Sequence, residues 1–496
     1  MAGKRSFMSS TASSALMAPA KLPSGLPSML YAQASPRSVG GTSMFATAAP
    51  ITQDVAQAFT SEEGIVRTAA TRLREAGFRV LNISPLTINI AAPPATYIQV
   101  FGTQLHAEER PVIKEQGREG TATFVESAET EMPGLIDTRS SPLADVLEGV
   151  AIEEPRYFHA SAFAPPKAYW HLAVPGDVSL GINADITHRR GITGRAVRVV
   201  MCDSGWFAHP YFAARGYRAN VVLGPGATNV GADEVGHGTA ESANAFAVAP
   251  DIRLTMVKMS FVNTIAGFNT AVARSPHIIS CSWGSSNRFG PLSAADQALA
   301  ASIALAVNAG IIVVFSAGNG HFGFPGQHPD VISAGGVFMH PDGSMEASDY
   351  SSGFASNIYP GRRVPDVCGL VGMRPRAAYI MLPLQPGDQI DVDLAGGGAY
   401  PNGDETSPTD GWSAISGTSA AAPQLAGACA LIKQQCRALT PAQVRDLLTT
   451  TARDVVAGTC NPATGGNPAG PGPDLATGSG LVDATAAVLK ARATCP

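Results

Sequence analysis

The chain has 496 residues, enough for two or three folded units, and its 52 glycines and 37 prolines predict many loops and turns. Its 34 basic and 39 acidic side chains give a net charge of −5, which argues against nucleic acid or a membrane surface as the main partner. The sequence contains no run of about 18 apolar residues, so no membrane-spanning helix is expected.

Residues 1–50 contain no Asp or Glu and are rich in Ser, Ala and Pro, a composition that predicts a disordered segment. Lys4 and Arg5 are not followed by an apolar stretch of the length found in signal peptides. We therefore expect a cytoplasmic location or non-classical export.

Residues 51–130 have the pattern of a small α/β unit. The spacing of apolar residues predicts helices over 62–76 and 95–105 and strands over 78–83, 86–90 and 121–125. Two helices against an antiparallel sheet predict a ferredoxin-like module. Residues 131–165 contain several proline turns and are interpreted as a linker to the larger remainder, residues 166–496.

The remainder alternates strands with helices, which predicts an α/β fold with a doubly wound, mainly parallel sheet. Strands are predicted over 197–202, 254–259, 277–282, 310–316 and 331–337, and helices over 292–309 and 420–435. In such folds, ligands bind where the strands end.

Two polar residues lie next to predicted strands or helices, in positions where catalytic side chains can occur. Asp203 ends the apolar strand 197–202, and His237 stands in a Gly-His-Gly-Thr sequence before a predicted helix. The glycines allow close backbone approach, so the imidazole can face a cleft. Each feature alone is more often a turn or a loop than a catalytic site.

A third residue, a serine, is a candidate nucleophile that could act with these two side chains. Ser419 lies in Gly-Thr-Ser-Ala, just before the small-residue helix 420–435, where the positive end of the helix dipole faces its hydroxyl. A serine needs a base and a group that orients the base before it becomes a good nucleophile. His237 and Asp203 have the chemistry for these two roles.

The same region resembles the subtilisin-like serine proteases, or subtilases. The matching sequences are Cys-Asp-Ser-Gly at 202–205, Gly-His-Gly-Thr at 236–239, Ser-Ala-Gly-Asn-Gly at 316–320 and Gly-Thr-Ser-Ala at 417–420. The order Asp, His, Ser along the chain is that of subtilisin. The four motifs together, in this order, are far more specific than any one of them.

The resemblance implies roles for individual residues. Ser419 would attack the scissile carbonyl, His237 would act as the base and Asp203 would orient the histidine. Asn319 would donate its side-chain amide to the oxyanion. Ser282, Trp283 and Gly284 would pair with an extended protein or peptide substrate, with Trp283 itself expected in the core.

The module at 51–130 resembles the activation domain of the pro-kumamolisin type, found ahead of sedolisins and some subtilases. The match lies in Leu-Arg-Glu-Ala-Gly-Phe at 73–78, Ile-Asn-Ile at 88–90 and Phe-Gly-Thr-Gln-Leu-His at 101–106. This resemblance implies a chaperone and inhibitor of the same chain, and hence a zymogen that cleaves itself within 127–165. A generic α/β binding module is the alternative.

No cofactor is required by this chemistry, and no metal ligand set is predicted. Subtilases often bind structural calcium, and the loop 385–412 carries six carboxylates whose spacing matches no fixed calcium loop: Asp388, Asp391, Asp393, Asp404, Glu405 and Asp410. A solvated insertion is therefore favoured.

Among the seven cysteines, Cys202, Cys281 and Cys429 are expected to be buried thiols, and a Cys460–Cys495 bridge is one pairing that the sequence allows.

Two other functions fit parts of the sequence. A sedolisin-like acid serine peptidase would explain the N-terminal module, but it would carry glutamate at the position of His237. A catalytically silent binding protein with the same fold would not need the complete set of Asp203, His237, Ser419 and Asn319. A serine endopeptidase is therefore the favoured function.

Overall fold

The computed structural model describes residues 25–114, 119–158, 170–395 and 404–495. An N-terminal unit contains the following elements: β1 (Leu30–Pro36), α1 (Glu63–Glu75), β2 (Arg79–Ile83), β3 (Ile88–Ala92), α2 (Pro94–Phe101), β4 (Leu105–Ile113), β5 (Glu119–Ser127), β6 (Leu135–Ile136), β7 (Leu147–Ile152) and β8 (Tyr157–Phe158).

The N-terminal unit is built on a five-stranded antiparallel sheet in the order β2-β3-β1-β7-β6. Strands β1, β2, β3 and β7 alternate with α1 and α2 in the β-α-β-β-α-β sequence of ferredoxin-like folds. Helix α1 buries Val66, Ala69 and Leu73 against this sheet, as its helical spacing predicts.

The structure corrects four sequence predictions in this unit. Strand β1 lies in the segment 1–50 that was expected to be disordered, because its apolar residues pair with both β3 and β7. Strands β6 and β7 fall in the expected linker 131–165. The second helix ends at Phe101, because Gly102 adopts a left-handed conformation with φ 69°, and the strand predicted at 121–125 instead pairs with β4 in a separate hairpin.

The remaining elements form the C-terminal unit: β9 (Leu172–Ala173), α3 (Gly176–Gly181), α4 (Ala184–Arg189), β10 (Arg198–Asp203), α5 (Pro210–Arg215), β11 (Ala219–Leu223), α6 (His237–Val248), β12 (Arg253–Lys258), α7 (Thr264–Val272), β13 (Ile278–Cys281), β14 (Trp283–Ser286), α8 (Ala294–Asn308), β15 (Ile312–Ser316), β16 (Gly323–Phe324), β17 (Ile332–Met339), β18 (Met345–Ala347), β19 (Phe354–Ala355), β20 (Arg363–Val364), β21 (Val367–Leu370), β22 (Ile380–Pro383), α9 (Gln389–Leu394), β23 (Trp412–Ala414), α10 (Thr418–Gln435), α11 (Pro441–Thr451) and α12 (Ala484–Thr494).

The large sheet has the order β11-β12-β10-β13-β15-β17-β18, with β21 also paired to β17. Every pairing in it is parallel except that of β18. The predicted α/β fold with a doubly wound, mainly parallel sheet is confirmed. Because β10 lies between β12 and β13, its carboxyl end opens at the middle of the sheet.

Helix α10 is the central helix of this unit. It is buried along most of its length and packs on α6 and on strands β13, β15, β17 and β21. A disulfide joins Cys436, at the end of α10, to Cys495, at the end of α12. The pairing of Cys460 with Cys495 is therefore wrong, and Cys460 is a buried free thiol whose Sγ lies 3.3 Å from the carbonyl of Gly353.

The two units share an extensive interface. Strand β2 contacts α7, β7 contacts α8, and β8 pairs antiparallel with β14. Two side chains in the interior of the interface, Asn89 and Asn263, bond to each other. Within the described ranges, the helices are all too short or too polar to cross a bilayer.

Candidate active site

Asp203 is the last residue of β10 and is fully buried. Its Oδ1 accepts hydrogen bonds from Nδ1 of His237 at 2.8 Å and from the backbone N–H of Ser204 at 2.7 Å. The carboxylate thus fixes the ring of His237 by its Nδ1 side and leaves Nε2 on the opposite side of the ring.

His237 is the first residue of α6. The preceding Gly236 has a φ of 91°, and a Cβ atom there would lie 2.1 Å from Oδ2 of Asp388, so both conformation and space require glycine. A Cβ on Gly238 would meet the carbonyl of Gly205 at 2.3 Å. The glycines on both sides of the histidine therefore let the side chain of Asp388 and the backbone of Gly205 approach closely.

Asp233, which the sequence analysis overlooked, holds the start of α6. Its carboxylate accepts hydrogen bonds from the N–H of Gly236 at 3.0 Å and from the N–H and hydroxyl of Thr239 at 2.8 and 2.7 Å. These are the donors that a helix N-terminus leaves without intrahelical partners. The spacing Asp-x-x-Gly before the helix was the available signal.

A second overlooked acid, Glu241, lies one turn along α6. Its Oε1 is 3.9 Å from Nε2 of His237, and its Oε2 accepts a hydrogen bond from Asn244. Burial raises the pKa of Glu241 to about 8, against the lowering effect of His237. Burial alone would lower the pKa of His237, but the charge and the hydrogen bond of Asp203 outweigh this effect, and the pKa lies above its ordinary value.

Ser419 lies in the first turn of α10 and is buried. Its hydroxyl donates to the carbonyl of Ser282 at 3.4 Å, and the hydroxyl of Ser282 donates to the carbonyl of Ser419 at 3.0 Å. This exchange fixes the start of α10 against the end of β13, at the same edge of the sheet as Asp203. A buried polar contact of 3.1 Å between Gln424 and Asn244 also joins α10 to α6.

Asn319 follows β15 at this edge. Its Oδ1 accepts the N–H and the hydroxyl of Thr418, the neighbour of Ser419, both at 2.9 Å. Because the oxygen accepts both bonds, the side-chain NH₂ is the part of Asn319 that can donate to another group. The amide is thus oriented by the helix that carries Ser419.

Ser282, Trp283 and Gly284 lead into the edge strand β14. Trp283 is fully buried, donates its indole N–H to the carbonyl of Cys202 at 2.9 Å, and is a core residue as expected. In β14, Trp283 and Gly284 lie opposite Phe158 and Tyr157 of β8. The N-terminal unit therefore supplies an extra strand beside the residues expected to bind substrate.

Four of the six carboxylates in the acidic loop 385–412 accept backbone hydrogen bonds. Asp388 caps α9, while Asp391 accepts from Gly387 and Gly411. Asp404 and Asp410 accept from other backbone groups of the loop. The described residues contain no group of three or more His, Cys, Asp and Glu that could hold a metal ion.

Comparisons with known proteins identify the family of this chain. Residues 227–480 match the Subtilase family (Peptidase_S8). Alkaline elastase YaB from Bacillus sp. (strain YaB) is 28% identical over 332 residues, which cover 62% of this chain and 70% of the elastase. Subtilisin E from Bacillus subtilis (strain 168) is 29% identical over 306 residues, or 56% of this chain and 66% of that protein.

A solved structure supports the fold. Fervidolysin from Fervidobacterium pennivorans, described as a keratinolytic enzyme related to subtilisin, superposes with a TM-score of 0.56 at 16% identity. The superposition covers 95% of this chain and 62% of the fervidolysin chain. With the family match over residues 227–480, these findings show that the chain belongs to the subtilase family of serine endopeptidases.

Proposed function

We propose that this subtilase hydrolyses peptide bonds with Ser419 as nucleophile, His237 as general base and Asp203 as the residue that orients the base. The hydrogen bond of 2.8 Å between Nδ1 of His237 and Asp203 carries the proposal. It fixes the tautomer with the proton on Nδ1, so that Nε2 can take the proton of a serine hydroxyl.

The reaction has two stages. Ser419 Oγ attacks the scissile carbonyl while His237 takes its proton, and the histidine then gives this proton to the leaving amine. Water repeats the sequence on the acyl-enzyme. Asp203 stays ionised and stabilises the imidazolium in both stages.

The developing oxyanion needs donors placed before the reaction begins. We assign this role to the side-chain NH₂ of Asn319 and to the backbone N–H of Ser419. The first is oriented by the two bonds from Thr418 to Asn319 Oδ1, and the second points out from the first turn of α10.

A fluorophosphonate probe tests the assignment, because it reacts with an activated serine. We expect one label, on Ser419, in the parent chain, and none in the His237→Ala or Ser419→Ala variants. The melting temperatures of the variants serve as the control for folding. Equal labelling of the parent and His237→Ala chains would refute the role of the histidine.

The N-terminal unit is proposed to inhibit the enzyme until the chain cleaves itself. Support comes from β8, which pairs with β14 at the edge where an extended substrate would add by β-augmentation. Cleavage is proposed within the segment 127–165, at a bond beyond strand β8, which ends at Phe158. Residues 159–165 of that segment lie outside the described residues.

Intact-mass analysis of the parent and of Ser419→Ala tests self-processing. We expect the parent to lose its N-terminal unit and the variant to keep its full mass. A parent that digests peptides at full length would rule out processing as a requirement. A protein or peptide is the proposed substrate, and nucleic acid and membrane are not among the proposed partners.

The proposed chemistry uses no cofactor. Structural calcium at the loop 385–412 is tested by the melting temperature with and without a chelator.

The sedolisin-like alternative predicts activity that peaks in acid, whereas a neutral His237 predicts activity that rises from acid toward neutral pH. A silent protein would give neither labelling nor hydrolysis.

A further inference from the structure

An arginine from the N-terminal unit occupies a polar pocket of the C-terminal unit. Arg156 precedes β8, and its side chain is fully buried. Its Nη1 lies 2.5 Å from Oδ1 of Asp296 and donates to the hydroxyl of Ser285 at 2.8 Å. Buried charges of this kind are rarely found without a specific partner.

The pocket is arranged by residues of the C-terminal unit alone. Asp296 lies in the first turn of α8, where its N–H donates to the hydroxyl of Ser293 at 3.1 Å. Its Oδ2 accepts a hydrogen bond of 2.6 Å from Asn287. Oδ1 of Asp296 is thereby directed to the guanidinium. The arrangement does not depend on the tail of the N-terminal unit, residues 153–158, which carries Arg156.

The strand register gives Arg156 a position relative to the scissile bond. Tyr157 lies opposite Gly284 and Phe158 opposite Trp283. A substrate strand in this register, continued by one residue, places its next residue opposite Ser282, whose carbonyl accepts from Ser419. That residue is P1, so a side chain at the position of Arg156 is P4.

The pocket remains charged when the tail leaves. A cavity of about 700 Å³ adjoins it and is lined by residues of both units, including Asp296, Ser285, Asn287, Glu154 and Phe289. Glu154 belongs to the tail and leaves with it. Asp296, only 2% exposed in the complete chain, would then face the opened cavity without its cation, as a carboxylate that can accept hydrogen bonds from another guanidinium.

We propose that the pocket formed by Asp296, Ser285 and Asn287 selects arginine at P4 of the substrate, and that Arg156 occupies it in the uncleaved chain. This inference rests on the proposed function and names its substrate class: peptides with arginine three residues before P1. A planar guanidinium suits Asp296 and Ser285 together, so arginine should exceed lysine.

Four peptides test the proposal. They share the sequence X-Tyr-Phe-His, which starts at position 156 of the chain, followed by a chromogenic leaving group, with X as arginine, citrulline, lysine or leucine. Citrulline keeps the shape of arginine but lacks its charge. Full-length protein is incubated until its mass is constant, and kcat/KM is measured for each peptide.

We expect arginine to exceed citrulline by about tenfold to a hundredfold, the range for a hydrogen bond to a charged group. Asp296→Asn should abolish this ratio. Asp342→Asn, which removes an exposed carboxylate in a turn, should keep it. Arginine and citrulline hydrolysed equally by the parent would overturn the P4 proposal but not the proposed function. No hydrolysis of any peptide, with no labelling of Ser419, would overturn the proposed function itself.

Discussion

Asn89 and Asn263 exchange two hydrogen bonds across the interface between the units. Nδ2 of Asn89 donates to Oδ1 of Asn263 at 2.8 Å, and Nδ2 of Asn263 donates to Oδ1 of Asn89 at 3.0 Å. Both side chains are buried. Asn89 belongs to β3 and Asn263 precedes α7, so the pair joins the five-stranded sheet of the N-terminal unit to a helix of the C-terminal unit.

The first prediction concerns this pair. Asn89→Leu leaves the amide of Asn263 buried with fewer partners, and we expect a loss of about 1–3 kcal/mol in the free energy of unfolding. The measurement is made by urea unfolding in the Ser419→Ala background, which prevents self-digestion. The double variant Asn89→Leu/Asn263→Leu should cost less than the sum of the two single changes, and strict additivity would argue against direct coupling.

The second prediction concerns Asn319. Asn319→Asp keeps an oxygen for Thr418 but replaces the NH₂ donor, so kcat should fall by about 10²–10³ while the fold is retained. This magnitude is the one measured for the oxyanion-hole asparagine of subtilisin itself. Steady-state kinetics and the melting temperature together check the prediction. Turnover at the parent rate would exclude Asn319 from the oxyanion hole.

The third prediction concerns the pH dependence of the reaction. His237 must be neutral to act as base, and its raised pKa places the acid limb of kcat/KM above the ordinary value for histidine. Glu241 lies 3.9 Å from Nε2 of His237, but its pKa of about 8 keeps its carboxyl group protonated below that pH, so Glu241→Gln exchanges one neutral side chain for another. The acid limb of the Glu241→Gln variant should therefore coincide with that of the parent chain.

The matched control for Glu241 is Glu234→Gln, which removes a partly exposed carboxylate bonded to Lys258. Its pH profile should follow that of the parent. A Glu241→Gln acid limb that moves to lower pH would instead show that Glu241 is ionised there and stabilises the imidazolium of His237.

The fourth prediction concerns the disulfide between Cys436 and Cys495, which are 59 residues apart. Closing a loop of this length in the unfolded chain contributes about 4 kcal/mol in the chain-entropy model. Cys495→Ser should lower the melting temperature of the Ser419→Ala chain by a corresponding amount. A reducing agent should lower the melting temperature of the Ser419→Ala chain but not that of the chain that also carries Cys495→Ser.

The sequence was most informative where a function depends on a few adjacent residues. The glycines beside His237 and the turn before Ser419 are local requirements of conformation, so short motifs identify them. The parallel sheet was also predictable, because its buried strands are continuous apolar runs such as 310–316.

Long-range pairing was much harder to predict. Strand β1 has little local signal of its own and is stabilised by partners at 88–92 and 147–152. The partners of Cys495 and Arg156 are likewise set by the tertiary fold. Asp296 appears in the sequence as one polar residue at the start of a helix, and its role depends on Arg156, which lies more than a hundred residues earlier in the chain.

The position of the five-stranded N-terminal sheet in the chain has a consequence for biosynthesis, because its strands are translated first. All five strands of that sheet have been translated by residue 152, before the first strand of the parallel sheet begins at Arg198. Domains generally fold as units, in the order in which they leave the ribosome. A nascent chain can therefore present a finished surface to α7 and α8 as these helices emerge, and the slow pairing of distant parallel strands can begin on an existing template.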